Sequence, residues 1–341
     1  MAGGGAGAVT DAVRAAIEAL ALVMPPDAPL RTIQIGPFAV DLCFGARSLE
    51  ASFADAFASS GQRGQSAFRI DILASGAGVP RPTILPAATA GDMQFSAESD
   101  SYALWMGRFL PALHMLHRPL CRGAYWTESA ATVPAWERSR PLLPLVQAIL
   151  HPTPWVALHA AAICRDGRAV LLAGRGKAGK TSLALAALRA GWTYAGDDFV
   201  LVRSGPSPCV APLYRTARLR SDMVDRFGDM LHLRREISDD EGEIRHELAF
   251  AAGDNRLLGG GSLAGIALIE RNCAATPNRN EVSRALVVST LATTTTVATP
   301  GYADSRLNKL FDIVARALLW RFDPGPDSDA ALDALAGMIA A

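Results

Sequence analysis

Apolar and polar positions fall into blocks along this chain, and each block predicts an element. Between Val9 and Met24 an Ala-rich stretch spaces Asp11, Arg14 and Glu18 among apolar residues. That pattern predicts an amphipathic helix, with Thr10 as its N-cap and Pro25-Pro26 as its stop. Residues 1–8, rich in Gly and Ala, are expected to be disordered. Residues 31–35 and 38–44 flank Gly36-Pro37 and predict a hairpin, and 68–73 alternates as a strand. Residues 80–86 and 89–92 read as loops, and 142–150 as a short helix between Pro141 and Pro152. Residues 155–164 predict one strand, turned at Asp166-Gly167 into a buried strand over 169–173. A helix over 182–189 ends at Gly191, and a strand over 193–202 is interrupted by Asp197-Asp198.

The C-terminal third is less regular. Residues 234–247 are highly charged and predict a surface loop or helix, and 259–262 a flexible joint. Residues 263–269 and 285–288 read as strands, and Thr293 to Thr296 as β-prone. In residues 305–322, Leu307, Leu310, Phe311, Val314, Leu318 and Leu319 recur at helical spacing, and 328–340 closes the chain as a helix. The whole predicts an α/β protein of two domains: a mixed α/β domain over 1–150 and a second over 151–341.

Composition narrows the function classes. Lys and Arg together number 33 and Asp and Glu 33, so the chain carries no basic footprint for nucleic acid. No apolar run reaches about 18 residues, so no membrane span is expected. The N-terminal stretch lacks a basic leading region and does not read as a signal peptide. Cys43, Cys121, Cys164, Cys209 and Cys273 are scattered without a C-x-x-C pair. Reduced, mostly buried thiols and a cytoplasmic location are expected. His114 and His117 have no third metal ligand at suitable spacing.

Candidate chemistry begins at Gly174, Arg175, Gly176, Lys177, Ala178, Gly179, Lys180 and Thr181, which fit G-x-x-x-x-G-K-[ST]. Glycines let successive amides point inward at phosphates, Lys180 can reach the β/γ-phosphates, and the Thr181 hydroxyl can ligate Mg²⁺. A buried strand before the loop, and Ser182 leading into a helix after it, complete a nucleotide-binding setting. A ten-residue helix climbs about 15 Å from the phosphates, and a returning strand brings Asp197 and Asp198 back level with them. Adjacent strand residues face opposite ways, so the two acids need different roles or a local kink. Just downstream, Arg215, Arg218 and Arg220 form a dense basic run, read either as solvated surface or as a contact to phosphate or an acidic substrate.

His159, the P-loop and Asp197-Asp198 together resemble the kinase core of the HPr kinase/phosphorylase family. That family pairs a His on the strand before the P-loop with an Asp-Asp after the next helix. The resemblance covers residues 155–205, and the run from Pro212 to Arg220 is similar to one in HPr-kinase-related proteins. The chain has Ala160 where the family has glycine, Arg175 where it often has Asp, and no L-E-I-R-G-like strand. It is therefore more similar to the HPr-kinase-related proteins encoded beside peptide-maturation genes, some of which phosphorylate a serine of a lasso-peptide precursor. The resemblance implies ATP (or another nucleoside triphosphate) and Mg²⁺ as cofactors and a peptide or protein with an acceptor serine as partner. Asp198 is then the base, Asp197 with Thr181 holds the metal, and Arg215 meets the transferred phosphate. His159 bonds an aspartate or the γ-phosphate, or is a satisfied buried histidine. A small-molecule kinase, a nucleotide-gated binding module and a homo-oligomer remain open on these residues.

Overall fold

The computed structural model describes residues 6–58, 66–75, 79, 81–82, 84, 93–107, 110–238, 244–251, 253–257, 260–272, 274–296 and 300–340. The chain divides into two compact units. The first is Met1–Leu150 with Thr299–Tyr302, and the second is His151–Ala298 with Ala303–Ala341. Both are mixed α/β. No helix among the described residues is long and apolar enough to cross a membrane.

The first unit opens with α1 (Ala6–Leu22), followed by β1 (Leu30–Ile35), β2 (Phe38–Phe44), α2 (Glu50–Ala54) and β3 (Phe68–Ala74). Then come β4 (Gln94–Ala97), β5 (Ser101–Trp105), β6 (Ala112–His117), β7 (Arg122–Thr127), α3 (Ala135–Ser139) and α4 (Leu143–Leu150). Its seven strands lie in the order β1-β2-β3-β7-β6-β5-β4. As Gly36-Pro37 predicts, β1 and β2 form a hairpin in which Ile35 faces Phe38 and Gly36 takes φ 57°. Val13, Ile17 and Leu20 recur on one face of α1 and pack on Leu113, Met115, Ala124 and Trp126. Burying each such side chain contributes roughly 1.5–3 kcal/mol. The helix begins at Ala6, so Thr10 lies inside it and does not cap it; its hydroxyl donates instead to Glu98. Residues 1–5, four of the seven residues 80–86 and all of 89–92 lie outside the described residues. His114 and His117 both sit on β6, three apart and thus on opposite faces, so they cannot share an ion. Residues 300–302 rejoin this unit: the Tyr102 hydroxyl donates to the Pro300 carbonyl at 3.2 Å and Tyr302 to Glu98 at 2.8 Å.

The second unit runs β8 (Trp155–Leu158), β9 (Ala161–Arg165), β10 (Arg168–Ala173), α5 (Lys180–Arg189), β11 (Thr193–Gly196), β12 (Val200–Arg203) and β13 (Cys209–Pro212). Then follow β14 (Thr216–Arg220), α6 (Ser221–Phe227), β15 (His232–Ser238), β16 (Ile244–Ala249), β17 (Gly261–Ile269) and β18 (Asn278–Glu281). The chain ends with α7 (Arg284–Thr296), α8 (Ala303–Arg316), β19 (Leu318–Asp323) and α9 (Ser328–Ala340). The main sheet has the order β11-β9-β10-β17-β13-β12-β8, with β19 and β18 added beside β17. β14, β16 and β15 form a small antiparallel sheet. Ile163, Val170 and Leu172 face α5 and α9, while Ala162, Leu171 and Ile266 face α7, α8 and β12.

The topology corrects several expectations. Residues 155–164 form two strands, broken at His159-Ala160 where the Ala160 amide turns back to the Leu158 carbonyl. The stretch expected to be strand at 285–288, and the β-prone threonines after it, belong to α7, where Val287, Val288 and Leu291 pack into the core. The long helix over 305–322 stops at Arg316, because residues 318–322 pair in parallel with the free side of β17. Residues 232–238 and 244–249 are paired strands rather than a surface loop or helix. Gly261 and Ser262 begin a nine-residue strand, while Gly259 lies outside the described residues. Among the described cysteines, Cys43 and Cys164 are buried but Cys121 is exposed; all four are free thiols, and Cys273 is outside the described residues.

Candidate active site

A bent ladder places the chemistry. β8 pairs antiparallel with β12 (Leu158 facing Val200), and β9 with β11 (Ala162 facing Gly196). The Ala162–Gly196 pair continues the register of β8 with β12, which then shifts by one residue between Gly196 and Tyr194, so residues 155–165 and 193–203 turn the corner side by side. His159-Ala160 and Asp197–Phe199 are the two halves of that corner. Gly196 makes the bend: its φ is 152°, and a Cβ there would lie 2.7 Å from Val200 Cγ1. The corner removes the strand alternation that would have sent Asp197 and Asp198 to opposite faces, and the two acids take separate partners.

Asp198 lies between His159 and Arg218. Its Oδ1 is 2.9 Å from His159 Nε2, and its Oδ2 accepts from the Arg218 guanidinium. The three side chains are each about one-fifth exposed, which leaves room for a reactant to reach them. His159 is held by its backbone amide, which donates to Thr295 Oγ1 on α7 at 3.0 Å, and its ring tilts against Phe199. Asp197 is buried and accepts the Arg218 amide at 3.2 Å. Burial pushes its carboxyl above the usual range, against the pull of Arg218 and of the neighbouring Thr181 and Tyr194 hydroxyls. Tyr194 is itself fixed through its hydroxyl to the Thr216 carbonyl.

The loop after β10 has the backbone its glycines predict. Gly174, Lys177 and Gly179 take φ of 146°, 65° and 98°, and α5 starts at Lys180. A Cβ on Gly174 would meet the Ile269 carbonyl at 2.9 Å, so glycine permits β10 and β17 to close up behind the loop. Arg175, Gly176 and Lys177 are exposed, Ala178 and Gly179 half-buried. Lys180 is 7% exposed, and its Nζ donates to the Gly174 and Arg175 carbonyls at 2.8 and 3.0 Å. Burial lowers its pKa, and Asp197 opposes that shift. Thr181 and Ser182 open the helix, half-buried, with Thr181 bonded to Asp197.

These contacts join the loop, Asp197, Asp198 and His159 into one cluster. The Arg215 guanidinium donates to the Phe250 carbonyl at 2.8 Å, and the Phe250 amide returns to the Arg215 carbonyl. Three residues further on, Arg218 meets both acids, with its amide on Asp197 and its guanidinium on Asp198. Arg220 is exposed beside Asp222. Sequence reasoning missed Tyr194, Thr295 and Arg271, whose guanidinium lies against Gly179. Of these only Arg271 leaves a trace in the sequence, as a cation directly after an apolar strand.

Neither a family model nor a curated protein matches the chain. Among solved structures, the chain is similar to the HPr(Ser) kinase/phosphatase of Coxiella burnetii. The two share 13% identity over 37% of this chain and 78% of that one, with a TM-score of 0.22. A likeness that faint carries no argument, so the reading rests on the residues.

The cluster has the parts of a phosphate-handling site. Lys180 is a buried cation bonded to carbonyls, and the loop beside it is shaped by two positive-φ glycines. No group of three or more His, Cys, Asp or Glu among the described residues could hold a metal alone. Mg²⁺, which keeps waters and shares its shell with substrate phosphates, needs only one carboxylate and a hydroxyl, and Asp197 with Thr181 fits that demand. A separate cavity of about 730 Å³ opens at the other end of β9 and β10, between Asp166, Trp192 and Asp333, away from these groups.

Proposed function

We propose that this protein is a kinase that transfers the γ-phosphate of a nucleoside triphosphate to a hydroxyl, the serine of a peptide or protein. The observation that carries the reading is Asp198, held between His159 Nε2 and the Arg218 guanidinium and tied through Asp197 and Thr181 to the P-loop. A loop that only bound nucleotide would not need a base at that place. The P-loop amides, with Lys180 released from its carbonyls, cradle the β/γ-phosphates, and Asp197 with Thr181 holds Mg²⁺. Bound Mg-nucleotide supplies the phosphoryl group and neutralises the charge that develops on it. Asp198 takes the proton of the acceptor hydroxyl at a carboxylate oxygen, while His159 keeps that carboxylate oriented. Arg218 spans the acids, its amide on Asp197 and its guanidinium on Asp198, and is the cation placed to meet charge that builds up beside them.

The resemblance to HPr-kinase-related proteins supports a peptide acceptor, with a lasso-peptide precursor as the first to try. The test is incubation of the purified protein with γ-labelled ATP, Mg²⁺ and the peptide products of neighbouring genes. Label on a serine is the expected outcome. Label on a metabolite with none on any peptide would make it a small-molecule kinase, and bound nucleotide without transfer would make it a nucleotide-gated module.

A further inference from the structure

We propose that Arg271, which no part of the P-loop pattern predicts, grips the phosphate chain of the nucleotide from outside the loop. The inference rests on the reading of that loop as a nucleotide site. β17 runs parallel to β10, with Leu268 facing Ala173, so both strands end on the same side of the sheet. The chain leaving β17 therefore runs along the P-loop. Two glycines record how close it comes. A Cβ on Gly174 would lie 2.9 Å from the Ile269 carbonyl, and one on Gly179 would lie 2.8 and 2.9 Å from Arg271 Nη2 and Nε. The guanidinium thus occupies the space that a side chain at 179 would fill, directly beside Lys180.

The segment carrying it is pinned on both sides. The Glu270 amide donates to the Phe322 carbonyl at 3.0 Å, and Glu270 pairs with Arg321. Past Arg271, the amides of Asn272 and Ala274 donate to Asp323 Oδ2 at 2.6 and 3.4 Å. Arg271 itself is exposed and makes no ion pair within 4 Å among the described residues. A fixed backbone and a planar donor fork, its charge felt by Asp323 but held in no ion pair, suit bidentate contact with phosphate oxygens at the rim of an anion cradle. Lys180 acts from inside the loop and Arg271 from its edge, so the phosphates are held between two cations.

Titration calorimetry with Mg²⁺ and the non-transferable triphosphate analogue AMPPNP tests this without relying on turnover. Arg271→Ala is expected to weaken binding roughly ten- to a hundredfold, the range for losing hydrogen bonds from a charged donor. Arg271→Lys should recover part of the loss, keeping the charge without the fork. Arg279→Ala, which removes an exposed cation on nearby β18, should change the affinity by less than about twofold. Wild-type protein that binds with an Arg271→Ala variant matching it within about twofold would overturn the inference while leaving the P-loop reading intact. Equal weakening in Arg279→Ala would also overturn it, since the effect would then be general charge. Wild-type protein that binds no nucleotide would take both readings down together.

Discussion

Each unit buries polar groups, and the two burials behave oppositely. In the first unit His114, Tyr125 and Glu137 are essentially inaccessible on or beside β6 and β7. Neither ring nitrogen of His114 has a hydrogen-bond partner among the described residues. Burial drives its pKa down to about 3 and that of Glu137 up to about 8, so both groups are neutral at pH 7. In the second unit Lys180 and Asp197 are buried, with Asp198 and Arg218 about one-fifth exposed beside them, and each charge meets a counter-charge or a row of dipoles. The difference teaches what a site requires. Burial alone discharges a group; chemistry needs charges kept alive by partners, at a place the backbone leaves open. Pairing by itself is not enough either. Asp71 is buried with Arg69 and Arg122 at 2.8 and 2.7 Å, but those arginines come from its own strand and its neighbour and serve the ladder.

The strongest way to break the comparison is to remove the buried cation of the second unit. Lys180→Ala should lower phosphoryl transfer by about a thousandfold or more, because catalysis of this class is positioning and charge neutralisation. Its melting temperature should hold or rise, since a desolvated ammonium is lost. Near-wild-type turnover would show that the paired charges here are as inert as Asp71.

Next come the acids. Asp198→Asn should cut transfer by about a hundred- to ten-thousandfold with Mg-nucleotide affinity retained, as expected for a proton acceptor used only in the chemical step. Asp197→Asn should chiefly raise the Mg²⁺ concentration needed for half-maximal rate. Reversed effects, read by comparing kcat with nucleotide Kd, would exchange the two roles.

The arginines sharpen the contrast within one strand. Arg218→Ala should lower kcat by roughly ten- to a thousandfold, in the range for losing one stabilising donor. Arg215→Ala should cost roughly 1–3 kcal/mol of stability in urea, since it leaves the buried Phe250 carbonyl without its charged donor. A kinetic loss at 215 with none at 218 would mean that the arrangement described for the acid pair is not the working one.

The legible and illegible parts of the molecule divide along local and non-local physics. Gly174 to Thr181 could be read because the loop's conformation is fixed by its own glycines, and the distance from Lys180 to Asp197 because helix rise and strand rise nearly cancel. The corner at His159 could not be read, because residues 155–164 are apolar apart from that histidine and a bend in a paired ladder is set by its partner strand. Residues 318–322 continue a helical stripe, yet they become β19 because β17 offers an open side; tertiary pairing overrides propensity there. Arg218 could not be singled out from the basic run, because its place at the acids is set by where β14 lies in the fold. Arg271 comes from a strand nearly a hundred residues past the loop it touches, which no local pattern could connect.

The smallest effect tests the other half of the comparison, the discharged cluster of the first unit. Glu137 binds its proton more tightly folded, at about 8, than in an unfolded chain near 4.5. Its contribution to stability is therefore full below about pH 4.5 and lost progressively up to about 8, at roughly 1.4 kcal/mol per pH unit. His114 runs the other way. With a folded pKa of about 3 against 6.5, it costs stability as pH falls below 6.5. Between about 4.5 and 6.5 the two slopes oppose and stability should plateau; above 6.5 only Glu137 acts and stability should fall. Amide exchange of β6 and β7, followed from pH 5 to 8, reads this unit directly. Glu137→Gln, whose amide oxygen can still accept the Leu142 amide as Glu137 does at 3.2 Å, should abolish the alkaline fall and leave transfer unchanged. A variant that keeps the wild-type slope above pH 6.5 would mean that Glu137 stays charged in the fold, and the contrast between the two burials would fail.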